Sequence, residues 1–514
     1  MKVIFGAHGS ILQVFCELDL RLRGMGCVTS SAYWISDSQY YFAKRKSFPA
    51  LSDPAIEQLY EWDFTSPDGE DNLDQRRKDA LDAQYGAFDL WKAILADRRL
   101  IYGRLSKVRQ SYAGHYSHEA LCKILYSTLD ALDRLVDRTN PDAIVTFVPA
   151  SYGDYLLAHI AKVRGIRYLQ LRSTKVKNFV TFTDGLGALS GHIAVRYDAN
   201  LKLSRGYPCE EAATAFISQA SQKPVDYEGT IARAKPSLSK SLINGTIKLA
   251  GALRNQFWPL NHTVACDNHV PPPLGTYFHG VFLQPWYRRT AMQAMRNRML
   301  SLTQAKRVPY LFYPLHSEPE IALSIYGRDH QNQIETIRRL AQSIPLRWRL
   351  VVKEHPRSVG YRTSGYYRRV LEIPNVWFAD PETRPFYWIE GAQAVATVSG
   401  FAGFEALMMG RPVIVLGDVA FSVLPGNMLR TVGAMSEVSS ELADLLKEFR
   451  RDESALCAFV AACMQEGVAV NLYSDLLAKP GRNRTAESAV ETQYDNLASH
   501  LADRLSDRID PNEL

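Results

Sequence analysis

Residues 310–320 read Tyr310-Leu311-Phe312-Tyr313-Pro314-Leu315-His316-Ser317-Glu318-Pro319-Glu320, an unbroken apolar run that ends in a cluster of polar groups. Two later segments repeat the pattern. Leu350-Val351-Val352-Lys353 runs into Glu354-His355-Pro356, and Ala394-Val395-Ala396-Thr397 runs into Val398-Ser399-Gly400 and Phe401-Ala402-Gly403-Phe404-Glu405. Short continuous apolar runs bounded by turn residues read as strands buried on both faces. In an open parallel sheet, ligands bind in the crevice beyond the carboxyl ends of the strands. His316, Glu320, His355, Ser399 and Glu405 are therefore expected on one rim. Histidines, a serine, carboxylates and a glycine-opened helix suit a nucleotide with its phosphates.

Working outward, strands are predicted at Tyr310–Tyr313, Arg347–Lys353, Val376–Phe378, Ala394–Val398 and Pro412–Leu416. Helical spacing lies between several of them, notably Gln331–Ala341 and Phe401–Met409, with Gly410 as a C-terminal cap. This alternation predicts a doubly wound parallel α/β sheet. The N-terminus opens a second one. Val3–Phe5 is a strand, Gly6-Ala7-His8-Gly9-Ser10 a turn with Ser10 at the N-cap, and Ile11–Leu22 a helix. After a charged, helix-like stretch over 44–140, residues 142–148, 155–164 and 166–171 read as strand, helix and strand. Residues 220–275 show no clear pattern. The chain is therefore divided into an N-terminal domain with a helical insertion (1–295), a C-terminal domain (296–480) and a helical tail (481–514). The tail is expected to cross back onto the first domain.

A length of 514 residues exceeds what one core usually supports. The net charge of +6 permits an anionic ligand or membrane surface and demands neither. The seven cysteines are irregularly spaced with no CxxC, which argues against a disulfide framework or zinc site and fits the cytoplasm. No window reaches the roughly 18–20 apolar residues of a membrane span. The basic stretch Trp286–Lys306, with its Trp and Met residues, allows a peripheral membrane attachment. No interleaving of basic and aromatic residues suggests a nucleic-acid partner.

Each candidate residue has a plainer alternative. Pro356 frees His355 at a strand exit, where its ring can bond a phosphate; the alternative is a turn histidine. Thr397 and Ser399 share one strand face, and Gly400 opens a helix whose first N–H groups attract anions; Ser399 would cap it, alone or with a ligand. Glu405 suits ribose hydroxyls or, more plainly, the helix dipole. Glu320 suits sugar hydroxyls, or is a solvated acid. In the first half, the small turn around His8 admits a ligand near the backbone, although it is not GxGxxG. Asp154 and Asp184 are the best-placed acids for general-base work.

These residues resemble the bacterial capsule polysaccharide biosynthesis family, which includes Kdo transferases. The likeness rests on Tyr313-Pro314-Leu315-His316 with Glu318-Pro319-Glu320, Lys353-Glu354-His355-Pro356, Thr397-Val398-Ser399-Gly400 with Glu405-Ala406-Leu407, and Gly410-Arg411-Pro412-Val413-Ile414. It covers about 308–420. It implies a glycosyltransferase B architecture, two Rossmann-like domains facing a cleft, with the donor in the C-terminal one and a metal-independent reaction. By similarity to bacterial sialyltransferases, His355, Thr397 and Ser399 would hold the nucleotide phosphate, and Glu405 would be near the ribose. His316, Glu320, Lys353 and Gly400 complete the expected donor site. Asp184, in Thr183-Asp184-Gly185, corresponds to the sialyltransferase base, with threonine replacing the first acid of that pair.

The expected activity is glycosyl transfer from a CMP- or UDP-linked sugar to a glycan or glycolipid acceptor in capsular or surface polysaccharide synthesis. His355, Asp184 and His8 are the expected catalytic residues, with no metal and no cofactor, the nucleotide-sugar being a substrate. The rival readings are a nucleotide-sugar epimerase, a CDP-polyol phosphotransferase on the same fold, and a non-catalytic assembly protein.

Overall fold

The computed structural model describes residues 1–66, 73–107, 110, 113–149, 151–225, 250, 251, 253, 267–317, 321–479 and 485–507. In chain order the strands are β1 (Lys2–His8), β2 (Ser30–Ser36), β3 (Glu57–Tyr60), β4 (Ala143–Thr146), β5 (Arg167–Ser173), β6 (Phe179–Asp184), β7 (Met299–Leu300), β8 (Tyr310–Pro314), β9 (Arg349–Lys353), β10 (Val376–Ala379), β11 (Ala394–Thr397), β12 (Val413–Val415), β13 (Leu429–Thr431) and β14 (Val468–Ala469). They form two seven-stranded sheets, one in each of two compact units.

The first sheet has the order β14-β6-β5-β4-β1-β2-β3. Strands β1 to β5 are parallel, while β6 runs antiparallel to β5 and β14 antiparallel to β6. The five residues Val3–Ala7 are all buried, as a central strand covered on both faces requires. The second sheet has the order β13-β12-β11-β8-β9-β10-β7, parallel throughout. Leaving aside β14 and β7, each sheet repeats one topology: β3-β2-β1-β4-β5-β6 in the first, β10-β9-β8-β11-β12-β13 in the second. In both, the winding reverses beside the first strand of the set. The switch points therefore lie between β1 and β4 and between β8 and β11, where an open α/β sheet receives its ligand.

Two Rossmann-like domains on one chain give the expected glycosyltransferase B class. Their borders differ from the expected ones. The first unit contains 1–186, 227–281 and 467–513, and the second 187–226 and 282–466. Residues 187–226, read as part of the first domain, supply two helices, Gly191–Leu203 and Glu210–Gln222, that pack on the helix Glu453–Gln465 of the second. Asn200 Nδ2 donates to the Ala458 carbonyl at 3.1 Å, and Arg196 pairs with Glu466 at 2.6 Å. The tail crosses back as expected. Helix Glu487–Ser506 places Tyr494, Leu497, Leu501 and Leu505 in the first unit's core beside Phe15 and Leu18. Arg21 clamps this helix through Glu491 and Asp495.

The helix Ala402–Met408 closes as predicted. Gly410, at φ +70°, donates to the Leu407 carbonyl while Arg411 donates to that of Ala406, a Schellman pair that L-residues other than glycine form with strain. Ser10 occupies the N-cap of helix Ile11–Gly24, but its hydroxyl makes no capping bond.

Candidate functional site

The second unit's switch point brings together the exits of β8 and β11. His316 follows β8 and is buried, with 8% of its surface exposed. Its backbone is held on both sides by Gln333. Gln333 Oε1 accepts the His316 N–H at 2.8 Å, and Gln333 Nε2 donates to the His316 carbonyl at 2.9 Å. Among the described residues, the His316 ring nitrogen Nε2 has no hydrogen-bond partner. Burial, with Arg362 nearby, lowers this imidazole to about 4, so it is neutral at ordinary pH. Across from it, Thr397 Oγ1 accepts the Gly400 N–H at 2.9 Å and fixes the turn after β11. A Cβ at Gly400 would stand 2.8 Å from Thr397 Oγ1 and 3.0 Å from His316 Cε1. Glycine thus permits the close approach of this turn to the imidazole.

The exit of β9 lies one strand over. His355 is exposed there. Its Nδ1 accepts the Arg357 N–H at 3.2 Å, which leaves Nε2 as the protonated, donating nitrogen of the neutral ring. The β8 and β9 exits touch through the hydroxyls of Ser317 and Ser358, 2.9 Å apart. A buried ion pair that sequence reasoning did not single out ties them further. Glu354 and Arg362 are wholly enclosed and bonded to each other. Glu354 Oε1 accepts the His355 N–H at 2.8 Å, Tyr367 donates to Oε2 at 3.0 Å, and Arg362 Nη2 donates to the His316 carbonyl at 2.5 Å. One salt bridge therefore fixes the backbone at both histidines.

Glu405 stands in the helix after β11, partly buried, with Arg384 as its nearest charge influence. Burial raises its carboxyl to about 7 despite Arg384. A carboxyl there exchanges its proton near neutrality, the range useful for proton transfer.

Two expected donor contacts need correction. Lys353 donates its ammonium to the carbonyls of Pro381 at 2.9 Å and Glu354 at 3.3 Å. Buried at a strand end, it satisfies backbone carbonyls instead of a phosphate. Ser399 does not cap the following helix; its hydroxyl donates to the Ala322 carbonyl at 3.0 Å. The cap position belongs to Phe401, and the helix has only seven residues. Glu320 lies outside the described residues.

In the first unit, His8 ends β1 beside the exit of β4. Its Nδ1 is 3.5 Å from Asp154 Oδ2, and its ring is 5.9 Å from that of Phe147. Asp154 is buried in the first turn of helix Tyr152–Arg164, whose cap Ser151 accepts the Asp154 N–H. A buried network adjoins this pair, with His269 and His8 ring centroids 6.4 Å apart. Arg99 Nη1 donates to His269 Nδ1 at 2.7 Å, because a guanidinium has no acceptor. His269 therefore carries its proton on Nε2 and donates to Glu61 Oε1, also at 2.7 Å. Ser36 donates to Glu61 Oε2 at 2.8 Å, and Asp97 receives Arg99 and the Tyr152 N–H. Burial and then Asp97 raise the Glu61 carboxyl, while burial and then Arg99 depress His269. Glu61, Asp97 and His269 could hold a cation by residue type, their ligand atoms lying within 4.8 Å of one another. Arg99 already supplies positive charge there and bonds both Asp97 oxygens, so the set does not fit a metal as it stands. Contacts that join residues 208 positions apart leave no pattern in the sequence.

Asp184 is not brought to this constellation. It ends β6, which runs antiparallel to β5, so the chain there heads for the amino edge of the parallel strands. It pairs with Leu169, Gly185 donates to the Tyr168 carbonyl, and Arg167 Nε lies 3.2 Å from its carboxylate. His8 is at the opposite, carboxyl edge.

With this geometry in hand, residues 217–426 match the sequence model of the capsule polysaccharide biosynthesis protein family. The resemblance read from the motifs holds over that segment, which contains the β8, β9 and β11 exits. No curated protein matches the chain. Solved structures similar to it include two Thermosulfurimonas dismutans KpsC structures. One is described as a β-Kdo 2,7 transferase, at 10% identity over 71% of this chain and 85% of that one, TM-score 0.29. The other is described as a β-Kdo 2,4 transferase, at 14% identity over 63% and 79%, TM-score 0.27. The Neisseria meningitidis UDP-GlcNAc 2-epimerase is similar at 13% identity over 90% and 98%, TM-score 0.29. Likeness at this level assigns neither donor nor acceptor. No helix among the described residues is long and apolar enough to cross a membrane.

Proposed function

We propose that this chain transfers a sugar from a CMP- or UDP-linked donor to a glycan or glycolipid acceptor in the synthesis of a capsular or surface polysaccharide. The observation that carries this reading is the meeting of His316, Thr397 and Gly400 at the switch point of the family-matched unit. There a buried neutral imidazole, with a ring nitrogen unpartnered among the described residues, lies against a turn that only glycine lets come so close. The donor's phosphates would lie in this crevice, with the Nε2–H of His355 and the ring of His316 as hydrogen-bond donors to the departing phosphate. Donors placed in advance on a rigid frame stabilise developing charge without reorganisation, and this reading assigns that work to imidazoles with no metal. Glu405 would receive the ribose hydroxyls. For the acceptor, this reading assigns the proton of the attacking hydroxyl to His8, whose Nδ1 lies 3.5 Å from Asp154 Oδ2.

The test is a thermal-shift series with CMP, UDP, GDP and CDP, since a ligand that binds only the native state raises apparent stability. One nucleotide should raise the melting temperature of the wild type, and both His316→Ala and Gly400→Ala should abolish that rise while still folding. His355→Ala should keep nucleotide binding and lose turnover. Absence of any nucleotide effect, or a shift untouched by both substitutions, overturns the site. Conversion of free nucleotide-sugar without acceptor would assign an epimerase. Phosphate retained in the product with release of CMP would assign a polyol phosphotransferase. Binding without turnover across acceptors would assign an assembly protein.

A further inference from the structure

Residues 268–317 contain six Lys and Arg residues and no Asp or Glu. The formal charge of this tenth of the chain equals the +6 of the whole. In the second unit the stretch begins with an uncovered apolar turn. Phe282 is 60% exposed, Leu283 40% and Trp286 58%. The helix Gln284–Arg296 follows, and its two sides differ. Ala291 and Met295 are buried, so the methionine packs into the core. Trp286, Arg289, Gln293 and Arg296 are exposed. Their spacing of three and four residues places them on one stripe, which Phe282 extends by a turn.

The surroundings add positive charge. Helix Ser364–Leu371 packs against Gln284–Arg296 and exposes Arg368 and Arg369. The acids nearby are few: Glu382 is paired with Arg288 at 2.6 Å, and Glu372 follows the second helix. Arg298 is engaged by the carbonyls of Ile373 and Pro374, so it belongs to the fold and not to the face.

We propose that this face docks the second unit on the surface of an anionic bilayer. The occupant is chosen by charge complementarity. Exposed Phe, Leu and Trp side chains enter the headgroup boundary, and Arg289 and Arg296 on the same stripe meet lipid phosphates. The stripe carries Arg289 and Arg296 and no acid, and the neighbouring helix adds Arg368 and Arg369, so the face is positive as well as apolar. This inference stands independently of the donor site.

The experiment is co-sedimentation of the full chain with phosphatidylcholine vesicles and with vesicles of equal phosphatidylcholine and phosphatidylglycerol, at low and high salt. Binding is expected to the mixed vesicles only, and to weaken as salt screens it. The double variant Arg289→Glu/Arg296→Glu should bind about tenfold more weakly or worse, since each basic residue near an anionic surface contributes separately. Phe282→Ser/Trp286→Ser should lose the part of binding that survives high salt. These side chains are exposed, so both variants should keep the wild-type melting temperature, read by circular dichroism. Equal binding to both vesicle types, binding to neither, or charge reversal without effect overturns the proposal. So does a dimer in sedimentation velocity that disappears with Phe282→Ser/Trp286→Ser, which would give the face to a second copy.

Discussion

Glu354 and Arg362 illustrate how single residues hold this site. Both are completely enclosed, and between them they bond the backbone of His355 and of His316. Removing one member of such a pair leaves an unpaired buried charge, at about 3–5 kcal/mol. Arg362→Met should therefore lower the urea midpoint severely, while Arg362→Met together with Glu354→Leu should lose less than Arg362→Met alone. A double variant as damaged as the sum of the two single ones would contradict direct pairing. Glu405 gives a pH prediction. Its carboxyl sits at about 7 in the fold against an ordinary 4.5. Between those values the native state binds a proton that the unfolded chain has released, so the native state loses stability as pH rises. Glu405→Gln removes that loss. Its stability advantage over the wild type, from urea midpoints, should grow from about pH 4.5 to about pH 7 and stay level above. An advantage independent of pH would mean that Glu405 does not titrate in this range.

Among the elements, the long apolar runs were readable and the edge pieces were not. β8, β9, β10, β11 and β12 each contain an uninterrupted apolar stretch, and the predicted strands overlap all five. The exits that carry His316, His355 and Thr397 followed from the same runs. β7 and β14 are two residues long, and β13, Leu429-Arg430-Thr431, has no apolar run, so none of the three shows a strand pattern. β6 was missed as an antiparallel strand, and with it the direction in which Asp184 travels. Side-chain aim was also hidden: nothing in Lys353-Glu354-His355-Pro356 says that the lysine turns to Pro381 and the glutamate inward to Arg362. The tail helix belongs at this scale too. Leu497 and Leu501 are fully buried in the first unit's core. A chain ending at Thr485 should expose that core. Its first unit should be digested in limited proteolysis while a fragment from 282–466 survives, and equal survival of both units would show that the tail is dispensable.

For the molecule as a whole, the same winding order appears twice, and each copy collects polar groups where its winding reverses: His8 and Asp154 in one, His316 and Thr397 in the other. That two sheets of this kind were present was legible from alternating strands and helices. Their true borders were not, because 187–226 and 467–479 join a unit other than the one that precedes them in sequence. Such exchanges depend on which apolar face meets which, information that lies outside any local window. The buried cluster around His269 belongs to the same class, assembled from residues whose separation in sequence hides their partnership.

The return of β14 and the helix Glu487–Ser506 to the first unit has a temporal consequence. A polypeptide leaves the ribosome from its amino end, and domains ordinarily fold in that sequence. Here β1 is synthesised before any strand of the second unit, yet the sheet edge and helix that cover its own unit emerge after all of them. The intervening unit has all its strands before then. The unit whose first strands are made before the other's is thus the later of the two to receive its full cover, because β14 and the helix Glu487–Ser506 follow the other unit in the chain.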